Sequence, residues 1–144
     1  MKSLQQWLDA YGESHQNKMN RKIHKVAVPG IYLSIVGIIW SLPALSLGEV
    51  QINWIWPVMM PVMMFYACLS KQVLVQMLVF TLACLAVISF LALYSAPVFS
   101  LSVGLFIALW VMQFLGHHIE GKKPSFFDDI QFLLIGPIWV FRQK

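Results

Sequence analysis

Three connectors of only three or four residues, at 48–51, 70–72 and 95–97, separate four long apolar runs in this chain. A helix of about 20 mostly apolar residues is long enough to cross a bilayer. The runs cover 26–47, 52–69, 73–94 and 98–116, and none contains Asp, Glu, Lys or Arg. Connectors this short force neighbouring helices to run antiparallel. The chain is 59% hydrophobic and 11% charged, where soluble domains average about 45–50% and 25%. A soluble fold of 144 residues could not hide that much apolar surface. The expectation is an all-α integral membrane protein, a four-helix transmembrane bundle in one domain, 1–144.

The charges set its orientation. In a four-span arrangement Lys2, Lys18, Arg21, Lys22, Lys25, Lys71, Lys122, Lys123, Arg142 and Lys144 share one side, and the opposite loops hold only Glu49. The positive-inside rule makes that side cytoplasmic, with both termini there. Residues 1–25 lack the apolar segment of a signal peptide and are expected as a cytoplasmic-side N-terminal helix. Short loops without appended tails favour a bacterial inner membrane over the endoplasmic reticulum. The basic residues suit anionic lipid headgroups, and no nucleic-acid partner is expected. Oligomeric state is left open.

A fifth apolar piece, 125–141, is shorter. Pro124, then Ser125 with Asp128 in an S-x-x-D pattern, marks a helix start, and Gly136-Pro137 interrupts it. It is expected as a kinked helix lying at the interface. A fifth crossing would carry Arg142 and Lys144 outside, against the charge rule. Pro29, Pro43, Pro57 and Pro61 are expected to kink the first two spans. Cys68 and Cys84 lie in apolar runs and read as small buried hydrophobes. Trp7, Trp54, Trp56 and Trp139 suit interface anchoring, and Gln76, Thr81, Ser89 and Gln113 suit hydrogen bonds between helices.

All four histidines fall in two polar patches, 11–24 and 116–124. The first patch precedes span one and the second follows span four, so an even number of crossings puts His15, His24, His117 and His118 at one membrane face. Neutral imidazoles in such a group hold iron, zinc or copper, with positions left for substrate. In a helix through the first patch, Asn17, Asn20 and His24 share a face; His15 sits elsewhere on it or in a loop before it. His117 and Glu120 share a face, while His118 points about 100° away. Glu120 orients an imidazole or is itself a ligand. A two-histidine, one-carboxylate site could draw only on Asp9, Glu13, Glu120, Asp128 or Asp129. Arg21, between Asn20 and His24, offers a planar fork suited to a carboxylate, with Lys122 and Lys123 as further cations.

Two motifs here, S-H-x-N-x-x-N-x-x-x-H with a proline five residues on, and G-H-x-x-E-G-x-x-P, carry a resemblance. From Trp7 to Phe141 the chain resembles a small membrane family, formerly a domain of unknown function. Its fungal endoplasmic-reticulum member is a 2-hydroxy fatty acid dioxygenase of phytosphingosine degradation, and it has bacterial relatives. The resemblance implies Fe(II)-dependent α-oxidation with histidine ligands. It matches His15, Asn17, Asn20, His24, His117, Glu120, Gly121 and Pro124, with His118 adjacent. It makes His15, His24, His117 and His118 the expected metal set and Glu120, Asn17 and Asn20 the expected catalytic groups; the cations Arg21, Lys122 and Lys123 are the expected substrate contacts by their charge.

The expected partners are a 2-hydroxy long-chain fatty acid, O₂ and membrane lipid. Turning a 2-hydroxy acid and O₂ into the acid one carbon shorter, CO₂ and water balances without a cosubstrate. That agrees with a chain lacking a dinucleotide fingerprint or a P-loop. The competing expectations are a zinc-dependent membrane lipid hydrolase and a non-enzymatic metal-handling membrane protein. Transport ranks low, because the spans carry only scattered Gln, Ser and Thr.

Overall fold

The structure, a computed structural model, describes residues 1–127 and 129–142. They form helices α1 (Leu4–Gly12), α2 (Lys18–Trp40), α3 (Ile55–Leu69), α4 (Lys71–Leu93), α5 (Val98–Glu120) and α6 (Phe132–Arg142), a short hairpin of β1 (Leu45–Leu47) and β2 (Val50–Ile52), and one 3-10 turn, Ser125–Phe127. Two compact units divide the chain: Met1–Tyr32 with Phe106–Lys144, and Leu33–Leu105.

In the first unit, α1 opens on a capping box. Ser3 Oγ accepts the Gln6 N–H at 3.3 Å, and Gln6 Oε1 accepts the Ser3 N–H at 2.8 Å. Its buried Trp7 and Tyr11 lie four residues apart on one face. That face packs on α6, with Trp7 edge-on to Phe132 at 5.1 Å and Tyr11 at 5.3 Å from Trp139. Seven residues of α6 are buried, from Phe132 to Val140. At Gly136 an added Cβ would stand 3.1 Å from Tyr11 Oη and 3.2 Å from Val28.

The helix expected over 125–141 is therefore corrected in its bounds. Its first residues form only a 3-10 turn, the helix starts at Phe132 and runs unbroken through Pro137, and it is buried against α1. The Ser125 hydroxyl bonds Ser14 Oγ at 2.6 Å; Asp128, its expected capping partner, lies outside the described residues. The expected N-terminal helix 1–25 is also corrected: 13–17 is not helical, and 18–25 belongs to α2.

In the second unit, α2 ends at Trp40, short of the expected 47, because the chain then turns through Pro43 into the hairpin. The connector 48–51 is the hairpin's turn and second strand. Leu45 pairs with Ile52 and Leu47 with Val50, and Gly48 supplies the positive φ of 65°. Asn53 joins α2 to α3: its Nδ2 donates to Trp40 O at 2.9 Å, and its Oδ1 accepts the Ile55 N–H at 2.9 Å. Ser70 alone links α3 to α4. Its N–H closes on Tyr66 O, and its Oγ accepts the N–H groups of Gln72 and Val73. One stripe of α4, Val73, Met77, Thr81, Cys84 and Ile88, is buried. Val75, Leu78, Val79, Leu82 and Phe90 stand exposed on its other faces.

Three helices, Lys18–Trp40, Lys71–Leu93 and Val98–Glu120, are long and apolar enough to cross a membrane; Ile55–Leu69 is shorter.

Candidate metal centre

The site is assembled from a loop and two helix ends, all in the first unit. Asn17 caps α2, its Oδ1 accepting the Met19 N–H at 2.9 Å and the Asn20 N–H at 3.3 Å. This places His24 less than two turns into α2. Gly121, at φ 76°, ends α5: its own N–H closes on His118 O, and the Lys122 N–H on His117 O at 3.3 Å. This leaves His117 in the last turn. α2 and α5 run antiparallel and close, Asn20 meeting Gly116 so tightly that an added Cβ would collide with Asn20 Oδ1. His24 and His117 consequently face each other, and the 13–17 loop brings His15 over them.

His15, His24 and His117 are buried, at 1%, 1% and 4% exposure. One ligand atom from each lies within 4.8 Å of the others, with no carboxylate in the group. The rings meet edge to face, with centroids 4.3, 4.9 and 4.8 Å apart. His15 Nδ1 reaches Tyr11 O at 2.6 Å, and His24 Nδ1 reaches Asn20 O at 2.9 Å. A carbonyl only accepts, so in both rings Nδ1 carries the proton and Nε2 the lone pair. His24 Nε2 and His117 Nε2 stand 3.1 Å apart. At that distance a neutral His117 donates its Nε2–H to the His24 lone pair; with the His117 proton on Nδ1, both lone pairs are free for one ion. His15 Nε2 has no hydrogen-bond partner among the described residues. Burial and the neighbouring His24 push the His15 pKa down to about 3, so the ring stays neutral, the form that ligates. These donors fit a divalent ion of the iron, zinc or copper kind.

The remaining residues of the two motifs bolt down the His15 loop. Glu120 accepts the Gln16 and Asn17 N–H groups, one on each oxygen, both at 2.6 Å. Asn20 Nδ2 donates to Ser14 O at 3.2 Å. Arg21 Nε donates to His15 O at 2.7 Å, with its guanidinium over Trp139 at 5.9 Å. Lys122 Nζ reaches Glu13 O at 2.9 Å. Lys122 and Lys123 line a cavity of about 470 Å³ with Lys2 and Ser14. His118 is exposed and outside the cluster. One residue further along a continuing helix turns a side chain by about 100°, so His117 and His118 cannot both point inward.

Sequence reasoning missed four neighbours. Tyr11 stacks on His15 at 4.2 Å and 6°, and Trp139 lies 5.1 Å from the same ring. Ser14 Oγ stands 3.2 Å from His15 Nδ1. Gln113 is buried against His24. Gln113 left a usable signal, preceding His117 by four residues and so sharing its face, and Ser14 opens the first motif.

The fold and site define a helical protein with helices of membrane-spanning length and a buried three-histidine centre able to hold a metal ion. Over residues 1–143 the chain matches, and belongs to, the family described as 2-hydroxy-palmitic acid dioxygenase Mpo1-like. No curated protein and no solved structure matches it.

Proposed function

We propose that this protein is a membrane-embedded Fe(II)-dependent dioxygenase that shortens 2-hydroxy long-chain fatty acids by one carbon. The observation that carries the reading is the buried, carboxylate-free cluster of His15, His24 and His117 in a member of this family. The balance is R–CH(OH)–COO⁻ + O₂ → R–COO⁻ + CO₂ + H₂O. The substrate supplies all four electrons, so no nicotinamide or oxoacid enters.

The three imidazoles hold the ion through nitrogens kept neutral by burial. An iron ion held there by His15, His24 and His117 would supply Lewis acidity toward a chelating 2-hydroxy acid and a means of activating O₂. Three neutral ligands leave the ion's full charge to attract an anionic substrate, which a carboxylate ligand would partly cancel. Glu120, Asn17, Asn20 and Arg21 act by fixing the loop that carries His15. The free face of Arg21, with Lys122 and Lys123, draws the carboxylate toward the site. The acyl chain lies along the apolar parts of α2 and α5. The positive-inside rule favours the cytoplasmic face for the site and both termini.

The test is elemental analysis of the purified protein, then O₂ uptake and product mass with 2-hydroxyhexadecanoic acid beside hexadecanoic acid. One iron per chain and turnover of the hydroxy acid alone are expected. Equal turnover of both acids, or turnover under strict exclusion of O₂, sinks the reading.

A further inference from the structure

Gln113 has no place in the scheme above, and its surroundings give it one. It lies one turn before His117 on the same face of α5, is 7% exposed, and rests against His24. Its Oε1 has no hydrogen-bond partner among the described residues. A buried acceptor left unpaired is costly, and native structures keep few of them outside functional sites.

Its position along the helix pair is informative. Asn20 meets Gly116, and ten residues further along α2, Gly30 meets Leu109. Gln113 therefore stands on the side of the histidines away from the 13–17 loop, where α2 and α5 both turn apolar: no charged residue follows Lys25 in α2 or precedes Glu120 in α5. An acid whose tail lay along those apolar segments, and whose head reached the histidines, would pass Gln113 close to that head. A carboxylate offers no hydrogen to an amide oxygen; a 2-hydroxyl does.

We propose that Gln113 is the specificity-determining residue of the site: its amide oxygen accepts the hydrogen bond of the substrate's 2-hydroxyl and so selects 2-hydroxy acids over unsubstituted ones. This rests on the dioxygenase reading. A site built to pair a hydroxyl rejects the analogue lacking it, because the buried acceptor then stays bare.

The experiment measures equilibrium binding to the metal-loaded protein in detergent, by displacement of a fluorescent fatty acid. The competitors are 2-hydroxyhexadecanoic, 2-methoxyhexadecanoic and hexadecanoic acids. The methoxy acid keeps the ether oxygen but has no hydrogen to donate. Wild type should prefer the hydroxy acid. Gln113→Met, similar in length but without the amide, should weaken the hydroxy acid about tenfold. It should leave hexadecanoic acid and the metal content unchanged. The disadvantage of the methoxy acid relative to the hydroxy acid should shrink by the same factor in the variant. A variant that keeps the wild-type preference, or that weakens both acids equally, overturns the inference while leaving the dioxygenase reading standing. Should the variant not fold, the wild type still decides: a methoxy acid that binds as tightly as the hydroxy acid overturns the role of the donated hydrogen bond. A wild type that binds the hydroxy and plain acids equally overturns this inference; the dioxygenase reading falls separately, on equal turnover of the two acids.

Discussion

A histidine at 1% exposure with its Nδ1 held by a carbonyl is a poor base and a good ligand, and His15 shows why. Its pKa is lowered from 6.5 to about 3, by burial first and the adjacent His24 second. The folded state thus binds fewer protons than the unfolded chain between those values, so stability is present above pH 6.5 and is lost as pH falls toward 3. Thermal unfolding of the metal-free protein between pH 7 and pH 4 should show a falling midpoint. His15→Asn should flatten that slope, and an unchanged slope would show that His15 does not carry it. His15→Ala, His24→Ala and His117→Ala should each abolish metal retention and turnover, while His118→Ala should keep both. Retention of full metal by two of the first three would break the centre as drawn. Arg21 was expected from sequence to fork a carboxylate, yet its Nε is spent on His15 O. Arg21→Ala should therefore weaken metal affinity about 10- to 100-fold, as loss of an orienting group does. Arg21→Lys should restore little, since an ammonium lacks the fork. A variant with normal metal affinity and only a raised KM would return Arg21 to direct substrate contact.

Among the elements, the α2–α5 pair carries the site, and its tightest point is Gly116 against Asn20. Gly116→Ala puts a Cβ into Asn20 Oδ1 and should destabilise the protein by about 1–3 kcal/mol. It should also lower metal occupancy, because Asn20 O orients His24 and Asn20 Nδ2 holds Ser14. Denaturation midpoint and metal content, measured on one preparation, check both effects. The pairing of two helix ends was legible in the sequence, since two polar patches flank the apolar runs and both hold histidines. That His118 points away from the His117 face was legible from the helical period; that His117 is the one turned inward depends on α5 continuing to Glu120 and packing on α2. The burial of α6 was hidden by Asp128 and Asp129. They read as a first helical turn, but the helix begins at Phe132 and packs on α1, a contact between chain ends that no local pattern encodes. The hairpin at 45–52 was hidden by its own apolar residues, which matched a span in hydropathy while Pro43 and Gly48 broke the helix. Gln113 passed as one of several polar residues in a span, because nothing in one sequence tells an interhelical hydrogen bond from a ligand contact.

At the scale of the whole molecule, membrane topology follows from parity. His24 near the start of α2 and His117 near the end of α5 touch at 3.1 Å, so these antiparallel helices have those ends at one face. If both cross a bilayer, the chain between them must cross an even number of times. α4 is long enough to cross, and α3 must then cross too, or α5 would begin on the wrong side. α3 has 15 residues, about 22 Å at 1.5 Å per residue, against a hydrocarbon core of about 30 Å. Trp54 and Trp56 at its start and Lys71 beyond its end suit anchoring of a short span, with local thinning of the bilayer making up the difference. The discriminating position is thus the α3–α4 connection. In a background with Cys68 and Cys84 replaced by serine, single cysteines at Ser3, Val50, Lys71 and Ala96 are treated in intact cells with a membrane-impermeant thiol reagent. Val50→Cys and Ala96→Cys should label from outside, while Ser3→Cys and Lys71→Cys should label only after permeabilisation. Outside labelling of Lys71→Cys would mean α3 does not cross, and parity would then forbid α4 from crossing while His24 and His117 stay together. Outside labelling of Ser3→Cys would reverse the charge-derived orientation and put the histidine centre on the face opposite the cytoplasm.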